Sequence, residues 1–280
     1  MKDDAETAEA ANSVEPAEPA EPVTPAWPVP PPSTHFGFDE VDEEKKADQV
    51  AEVFDRVARR YDLMNDLMTW GLHRRWKATA VREARVAEGD RVLDLAGGTG
   101  DLAIRLASKV GRTGHVTLAD INPSMLGQAE RRLDERGLGD AVSLVEADAE
   151  ALPFADGSFD AVVIGFGLRN VTHQDVALEE MRRVLKPGGR LVVLEFSRPV
   201  LLPVRPLYDA YSFLIIPALG RLVLRDRTSY RYLVESIRMH PDRDTMLEML
   251  RDAGLSEAGV RKLFFGIVAL HCGEKPRKRP

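Results

Sequence analysis

The stretch that most constrains this chain is Val92-Leu-Asp-Leu-Ala-Gly-Gly-Thr-Gly-Asp101. A short, largely apolar run breaks into glycines, and a helix-forming segment starts at once. Glycine there lets backbone approach a ligand closely, because no Cβ stands in the way. The alternation continues downstream. Strands are expected at Arg91–Leu95, His115–Ala119, Val142–Glu146, Ala161–Ile164 and Arg190–Phe196. Helices are expected at Asp101–Val110, Pro123–Arg136 and Asp175–Leu185, with Pro123 suited to a first helical turn. Strands alternating with helices at this spacing imply a parallel sheet covered on both faces. Val260–Phe265 and Ile267–His271, close together around Gly266, predict an antiparallel pair at one edge.

The flanks read differently. Residues 1–33 are Ala, Glu and Pro with almost no large aliphatics, so they cannot bury enough surface to offset their own ordering, and a disordered tail is expected. From Ala47 to Trp70, Val50, Val53, Phe54, Val57, Tyr61, Met64, Leu67 and Met68 recur at three- and four-residue spacing and predict a helix. A second is predicted over His73–Arg85. This unit either packs on the sheet or roofs a pocket. Leu201–Val234 mixes apolar runs with five arginines against two aspartates, opposite in sign to the whole chain. It suits a lid, an anionic membrane surface, or both. The domain scheme is therefore a tail (1–33) and one domain (34–280): helical roof (34–88), ligand-binding core (89–200), lid or membrane-facing insertion (201–234), and C-terminal helix with edge strands (235–280).

Charge and composition exclude some classes. A net charge of −7 argues against a nucleic-acid partner. The single cysteine, Cys272, rules out an intrachain disulfide and fits a reducing compartment. No apolar run approaches the roughly 18–20 residues that span a bilayer, and the N-terminus lacks the layout of a secretory signal. A cytoplasmic location is expected, with peripheral contact at the inner face of the cytoplasmic membrane. His73, His173 and His240 are scattered without ligand spacing, so no metal is expected.

Ligands of open α/β sheets bind at the carboxyl ends of the strands. Asp120 ends the second strand, where a carboxylate can accept hydrogen bonds from both ribose hydroxyls. That much fits two cofactors, since Gly98-x-Gly100-x-x-Ala103 also matches the dinucleotide fingerprint, which is weak alone. Four features favour S-adenosylmethionine. Asp94 precedes the loop, where an acid can meet the ammonium of a methionine moiety and would repel a pyrophosphate. Asp148-Ala149 follows strand three, placed for an adenine edge. Leu152-Pro153-Phe154 and Phe159-Asp160 lead into strand four, and Lys186-Pro187-Gly188-Gly189-Arg190 turns into strand five. The whole series resembles the pattern of class I methyltransferases, and the fold that this implies is α/β and Rossmann-like: a mostly parallel seven-stranded sheet with an antiparallel edge, N-terminal helices and a helical lid insertion.

From Thr34 to Lys275 the chain resembles the family that methylates ring carbons in menaquinone and ubiquinone synthesis, the demethylmenaquinone methyltransferases and 2-methoxy-6-polyprenyl-1,4-benzoquinol methylases. The resemblance is carried by Thr34-His-Phe-Gly-Phe38, Tyr61-Asp-x-Met-Asn-Asp-Leu-Met68, Asp94-Leu-Ala-Gly-Gly-Thr-Gly-Asp101, Ala119-Asp-Ile-Asn122 and Arg183-Val-Leu-Lys-Pro-Gly-Gly-Arg190. Leu194-Glu-Phe-Ser197, Ser229-Tyr-Arg-Tyr-Leu233 and Glu235-Ser-Ile-Arg-Met-His-Pro241 add to it. Phe166-Gly-Leu-Arg-Asn170 and Tyr208-Asp-Ala-Tyr-Ser-Phe213 are its most specific stretches. It implies C-methylation of demethylmenaquinol, of the benzoquinol, or of both. It places cofactor contacts on Thr99, Asp120, Asp148 and Ala149, beside Gly98, Gly100 and Asp94. The family's serine after strand four is Gly165 here, which leaves only a backbone contact. Arg169 is expected to orient a water or stabilise a phenolate, with Asn170 beside it and Tyr61 bonding a ring oxygen; the plainer roles are an ion pair for Arg169 and a helix cap for Asn170. The implied partners are a polyprenyl quinol and other quinone-biosynthesis enzymes. Two other readings stay open: a methyltransferase for another lipid, and a non-catalytic cofactor-binding subunit of a quinone-biosynthesis complex.

Overall fold

The structure, a computed structural model, describes residues 32–58, 61–197, 206, 210–216, 218 and 227–277. Its centre is the predicted strand Arg91–Leu95. Leu93 and Leu95 point into one apolar core with Phe159, Val162 and Ile164. Val92 points into another with Val116, Leu118 and Val163. A strand buried on both faces has little room for polar residues, which is why these strands read as largely apolar runs, with Asp94 the exception in this one.

In chain order the elements are the hairpin β1 (Ser33–Phe36) and β2 (Asp39–Asp42), then α1 (Glu43–Val57), α2 (Tyr61–Thr69) and α3 (Leu72–Glu83). The core follows as β3 (Arg91–Leu95), α4 (Asp101–Val110), β4 (His115–Asp120), α5 (Pro123–Asp134), β5 (Val142–Glu146), β6 (Phe159–Gly165), α6 (Gln174–Val184) and β7 (Leu185–Phe196). It closes with α7 (Arg227–Met239), α8 (Arg243–Asp252), β8 (Ser256–Leu263) and β9 (Val268–Glu274). The seven-stranded sheet runs β5-β4-β3-β6-β7-β9-β8, with β9 antiparallel to both neighbours and the other pairs parallel. Chain order reverses at β3, so the crevice beyond its carboxyl end is the expected ligand position.

The structure departs from the sequence reading at its edges. The single helix expected over Ala47–Trp70 is two, α1 ending at Val57 and α2 starting at Tyr61. Trp70 (φ 53°) and Gly71 (φ 71°) then take left-handed backbone and separate α2 from α3. The β1–β2 hairpin was not expected, because its residues lack an apolar alternation. It holds through Phe36, whose ring stacks on Tyr232 of α7 at 4.2 Å between centroids. The pair around Gly266 exists as β8 and β9, shifted outward because Phe264 (φ 44°) and Phe265 (φ 56°) leave extended backbone for a 3-10 turn. The expected tail lies outside the described residues apart from Pro32 and Ser33, and so does most of Leu201–Arg227. Within the latter, Tyr211–Ile215 forms a π-helical turn. Among the described residues no helix is long and apolar enough to cross a membrane.

Candidate active site

Beyond β3 the backbone turns sharply. Ala96 (φ 49°), Gly98 (φ 55°) and Gly100 (φ 80°) are left-handed, and a Cβ on Gly97 would fall 2.5 Å from Leu118 Cγ. The loop therefore packs directly on β4 and presents its amides. The Gly98 N–H donates to Asp120 Oδ2 at 2.8 Å, and the Asn122 N–H donates to Asp120 Oδ1 at 2.9 Å. Burial raises the Asp120 pKa, against which the amides of Asn122, Gly98 and Ile121 pull it down. Asn122 caps α5 through Met125 N–H and reaches across to Asp55 of α1 at 3.0 Å, so α1 is tied over the loop.

The result is a cleft of about 390 Å³ whose walls include Gly98, Asp120, Asp148, Ala149, Phe166 and Asn170, with α1 as the opposite side. That falls within the roughly 300–1,000 Å³ of small-molecule sites. Asp148 Oδ1 accepts from the Glu150 N–H at 2.9 Å. Gly165 also lines the cleft, and a Cβ there would meet Leu102 Cδ1 at 2.6 Å. A serine at this position would need Leu102 to move. His173 closes one rim, its Nδ1 2.7 Å from Glu150 and its Nε2 3.3 Å from Glu43 of α1. The Lys46 ammonium adds a 3.2 Å bond to the Val171 carbonyl.

Three of the expected cofactor residues stand behind this wall. Thr99 is buried; its hydroxyl donates to Asp62 of α2 at 3.0 Å and accepts from Arg132 of α5 at 2.7 Å. Gly100 opens α4. Asp94 is wholly buried beneath the loop, and neither carboxylate oxygen has a hydrogen-bond partner among the described residues. Burial pushes its pKa up to about 7, helped by Asp120 and Asp101 and opposed by Lys77 and the nearby Ala103 amide.

Phe54 and Phe166 belong both to the cleft and to a second, more apolar cavity of about 50 Å³. Arg169 lines this cavity, whereas Asn170 lines the cleft. Arg169 Nη1 donates to both oxygens of Glu195, at 3.0 and 3.2 Å, and to the Phe166 carbonyl. Its guanidinium lies 5.7 Å from the Phe196 ring centroid, and its Nε has no partner among the described residues. Asn170 Oδ1 accepts from the Tyr232 hydroxyl at 3.0 Å. Burial pushes the Tyr232 phenol up to about 12. The side chain of Tyr61 lies outside the described residues.

The sequence assigned no site role to Glu195, Tyr232 or His73. Glu195 had a signal, a carboxylate inside an apolar strand, which demands a buried partner. Tyr232 and His73 had none, because their partners Asn170 and Asp66 meet them only in the fold. Among the described residues no group of three or more His, Cys, Asp or Glu is placed to hold a metal ion. The donor set suits S-adenosylmethionine: glycine amides, a buried carboxylate at the end of β4, and Ala147, Asp148 and Ala149 after β5.

Comparison with known proteins agrees. Residues 40–275 match the model of the ubiE/COQ5 methyltransferase family. The ubiquinone/menaquinone biosynthesis C-methyltransferase UbiE of Coxiella burnetii is 54% identical over 243 residues, covering 87% of this chain and 97% of that protein. The enzyme of the same name from Klebsiella pneumoniae is 56% identical with the same coverage. Two solved structures share the fold at low identity. A SAM-dependent methyltransferase from Aquifex aeolicus has a TM-score of 0.53 at 18% identity, covering 71% of this chain and 88% of that one. Phosphoethanolamine N-methyltransferase 2 of Haemonchus contortus, in complex with S-adenosyl-L-methionine, has 0.54 at 16%, covering 72% and 52%. The sheet order, the cleft and these matches together establish that the chain belongs to the ubiE/COQ5 methyltransferase family.

Proposed function

We propose that this chain transfers the methyl group of S-adenosylmethionine to a ring carbon of a polyprenyl quinol, converting demethylmenaquinol to menaquinol, 2-methoxy-6-polyprenyl-1,4-benzoquinol to its 5-methyl product, or both. One observation carries the reading. A cofactor-sized cleft shares its Phe54–Phe166 wall with an apolar cavity that holds a buried arginine.

In this reading Asp120 takes the ribose hydroxyls, Asp148 and Ala149 face the adenine, and the Gly98 backbone meets the methionine moiety. Thr99 and Gly100 act from behind, holding the loop, and Asp94 lies buried beneath it. S-adenosylmethionine supplies an electrophilic sulfonium methyl, and the chain supplies binding, orientation and charge. Arg169 stays cationic and is a poor base. Fixed by Glu195, it stabilises the charge that develops on a ring oxygen when the hydroxyl gives up its proton. Asn170 and Tyr61 complete the contacts to the ring. A cavity of about 50 Å³ lies far below the range of small-molecule sites, so α7, which carries Tyr230 and Tyr232 on its wall, has to move to admit a ring. The prenyl tail then runs out of the cavity toward a membrane surface. The domain scheme of tail, roof, core, insertion and C-terminal edge belongs to the same proposal.

The direct test gives purified protein radiolabelled S-adenosylmethionine and each of the two reduced prenyl quinols. Label on the ring supports the reading and identifies the accepted quinol. Cofactor binding without transfer to either overturns the substrate.

A further inference from the structure

Methylating a ring carbon requires a group that takes the proton of the neighbouring hydroxyl, and Arg169, locked as a cation against Glu195, cannot be that group. The wall of the same cavity offers another on α3. His73 is 5% exposed and lines the cavity together with Arg169, Phe166 and Tyr230. Its Nε2 lies 2.8 Å from Asp66 Oδ1 of α2. Asp66 also accepts from Arg74, at 2.9 Å from Nε and 2.5 Å from Nη2; burial pushes its carboxyl up, but the bonds from Arg74 and His73 outweigh that and hold it below the usual range. An ionised partner places the imidazole hydrogen on Nε2 and leaves a lone pair on Nδ1. That Nδ1 is buried and has no hydrogen-bond partner among the described residues.

From this geometry we propose that His73, oriented by Asp66, is the catalytic residue that accepts the ring-hydroxyl proton of the substrate. The proposal rests on the quinol methylation proposed above and names its base. The charged groups around the imidazole are Asp66 on α2, Lys77 on α3 with its Asp101 partner on α4 at 3.1 Å, and Arg169 across the cavity. Burial, with Lys77 and against Asp66 and Asp101, holds the His73 pKa below its ordinary value, so the ring is neutral and able to accept a proton near pH 7. As the ring carbon bonds to the methyl, the C–S electron pair stays on sulfur. The O–H bond breaks toward Nδ1, and its electron pair closes a C=O. The ring C–H proton then leaves to water, and the imidazolium returns its proton to the oxygen. One proton is released overall.

The test compares the full chain with His73→Gln and Asp66→Asn. Wild-type transfer is measured first, and its absence with both quinols would sink the parent reading and this one together. With transfer present, His73→Gln is expected to lower kcat by about 10²–10⁴-fold while calorimetric affinity for S-adenosylhomocysteine changes less than twofold. The fall of kcat on the acid side should flatten, and added imidazole should restore part of the rate. In Asp66→Asn the acid fall should move to lower pH, because the carboxylate that favours the imidazolium is gone. Nitrogen-15 imidazole spectra of the resting protein should show the Nε2–H tautomer at His73. A kcat within threefold of wild type in His73→Gln, an unchanged acid limb, or an Nδ1–H tautomer would each overturn the assignment.

Discussion

Asp120 and Asp94 are both buried carboxylates at the same loop, and their surroundings differ in kind. Asp120 holds two amides, Gly98 at 2.8 Å and Asn122 at 2.9 Å, while Asp94 holds none among the described residues. Asp120→Asn sets an amide group against those N–H donors and removes the charge that would take a ribose diol. Hydrogen bonds to a charged group contribute about 1.5–3 kcal/mol, so the Kd for S-adenosylmethionine should rise about 10–100-fold by calorimetry, with an unchanged fold by circular dichroism. Asp94 is a stability matter. Its folded pKa of about 7 lies above the ordinary 3.8, so between those values the folded state binds a proton that the unfolded chain has lost. The stability that this proton supplies is complete below pH 3.8 and is lost as pH rises through 7. Asp94→Asn should therefore gain on wild type in urea unfolding between pH 4.5 and pH 8, by at most on the order of 3–4 kcal/mol. A gap that stays constant with pH would refute the buried-acid account. The Arg169–Glu195 pair behaves oppositely to a surface bridge, since both side chains are nearly inaccessible (4% and 1%). Glu195→Ala leaves a buried cation unpaired and should cost about 3–5 kcal/mol, read as a lowered midpoint in the same unfolding experiment.

At the scale of elements, the legible parts were those whose signal is local. The β3 boundaries, the α4 helix and the glycine loop are set by neighbours in the chain, and Gly98, Asp120, Asp148 and Ala149 line the cleft because they lie at or just past strand ends. The illegible parts depend on meetings across the chain. Thr99 sits in a plain loop motif, yet its hydroxyl is engaged by residues 37 before and 33 after it. The β1–β2 hairpin depends on Phe36 reaching Tyr232 of α7, and the α1–α2 break is invisible in a stripe of apolar residues that continues through it. The clasp of α1 over the cleft is likewise non-local, with Glu43 from the start of α1, Glu150 from the turn after β5 and His173 from the cap of α6. Glu150 and then Glu43 raise the His173 pKa above its ordinary 6.5. Its contribution is thus complete below about pH 6.5 and fades as pH rises through the raised value. The ring is 44% exposed, so solvent screens the effect. Wild type should exceed His173→Gln in urea-unfolding stability at pH 6, and the difference should narrow by pH 9. A difference that widens with pH would contradict the clasp.

At the scale of the whole molecule, the chain is acidic overall, but its described surface carries large apolar side chains near the elements that cover the second cavity. The Tyr211 hydroxyl donates to the Met68 carbonyl at 2.9 Å, which seats the π-helical turn against the end of α2. On that turn Phe213, Leu214 and Ile215 are exposed at 47%, 67% and 47%, while Ser212 and Ile216 are buried. Just past α2, Trp70 is 84% exposed, held outward by two successive left-handed residues. Exposed aromatic and aliphatic groups gathered in this way mark an interaction surface more often than they occur by chance. In sequence, residues 201–234 carry five arginines against two aspartates, a sign that suits the anionic bilayer of the membrane contact proposed above. The proposed prenyl-tailed substrate would reside in such a bilayer, and the proposal that this face meets lipid follows from that. Leu214→Ser with Ile215→Ser removes about 0.8 kcal/mol per buried methylene equivalent from that contact. Binding to vesicles of anionic phospholipid, followed by flotation, should weaken at least tenfold, and raising the salt should weaken what remains. Turnover of a short-chain quinol in detergent should stay within twofold of wild type, because neither residue lines the cleft or the cavity. Unchanged flotation would mean that this face meets something other than lipid, whereas equal losses with vesicles and in detergent would mean that the turn supports the fold of α7 instead of a surface contact.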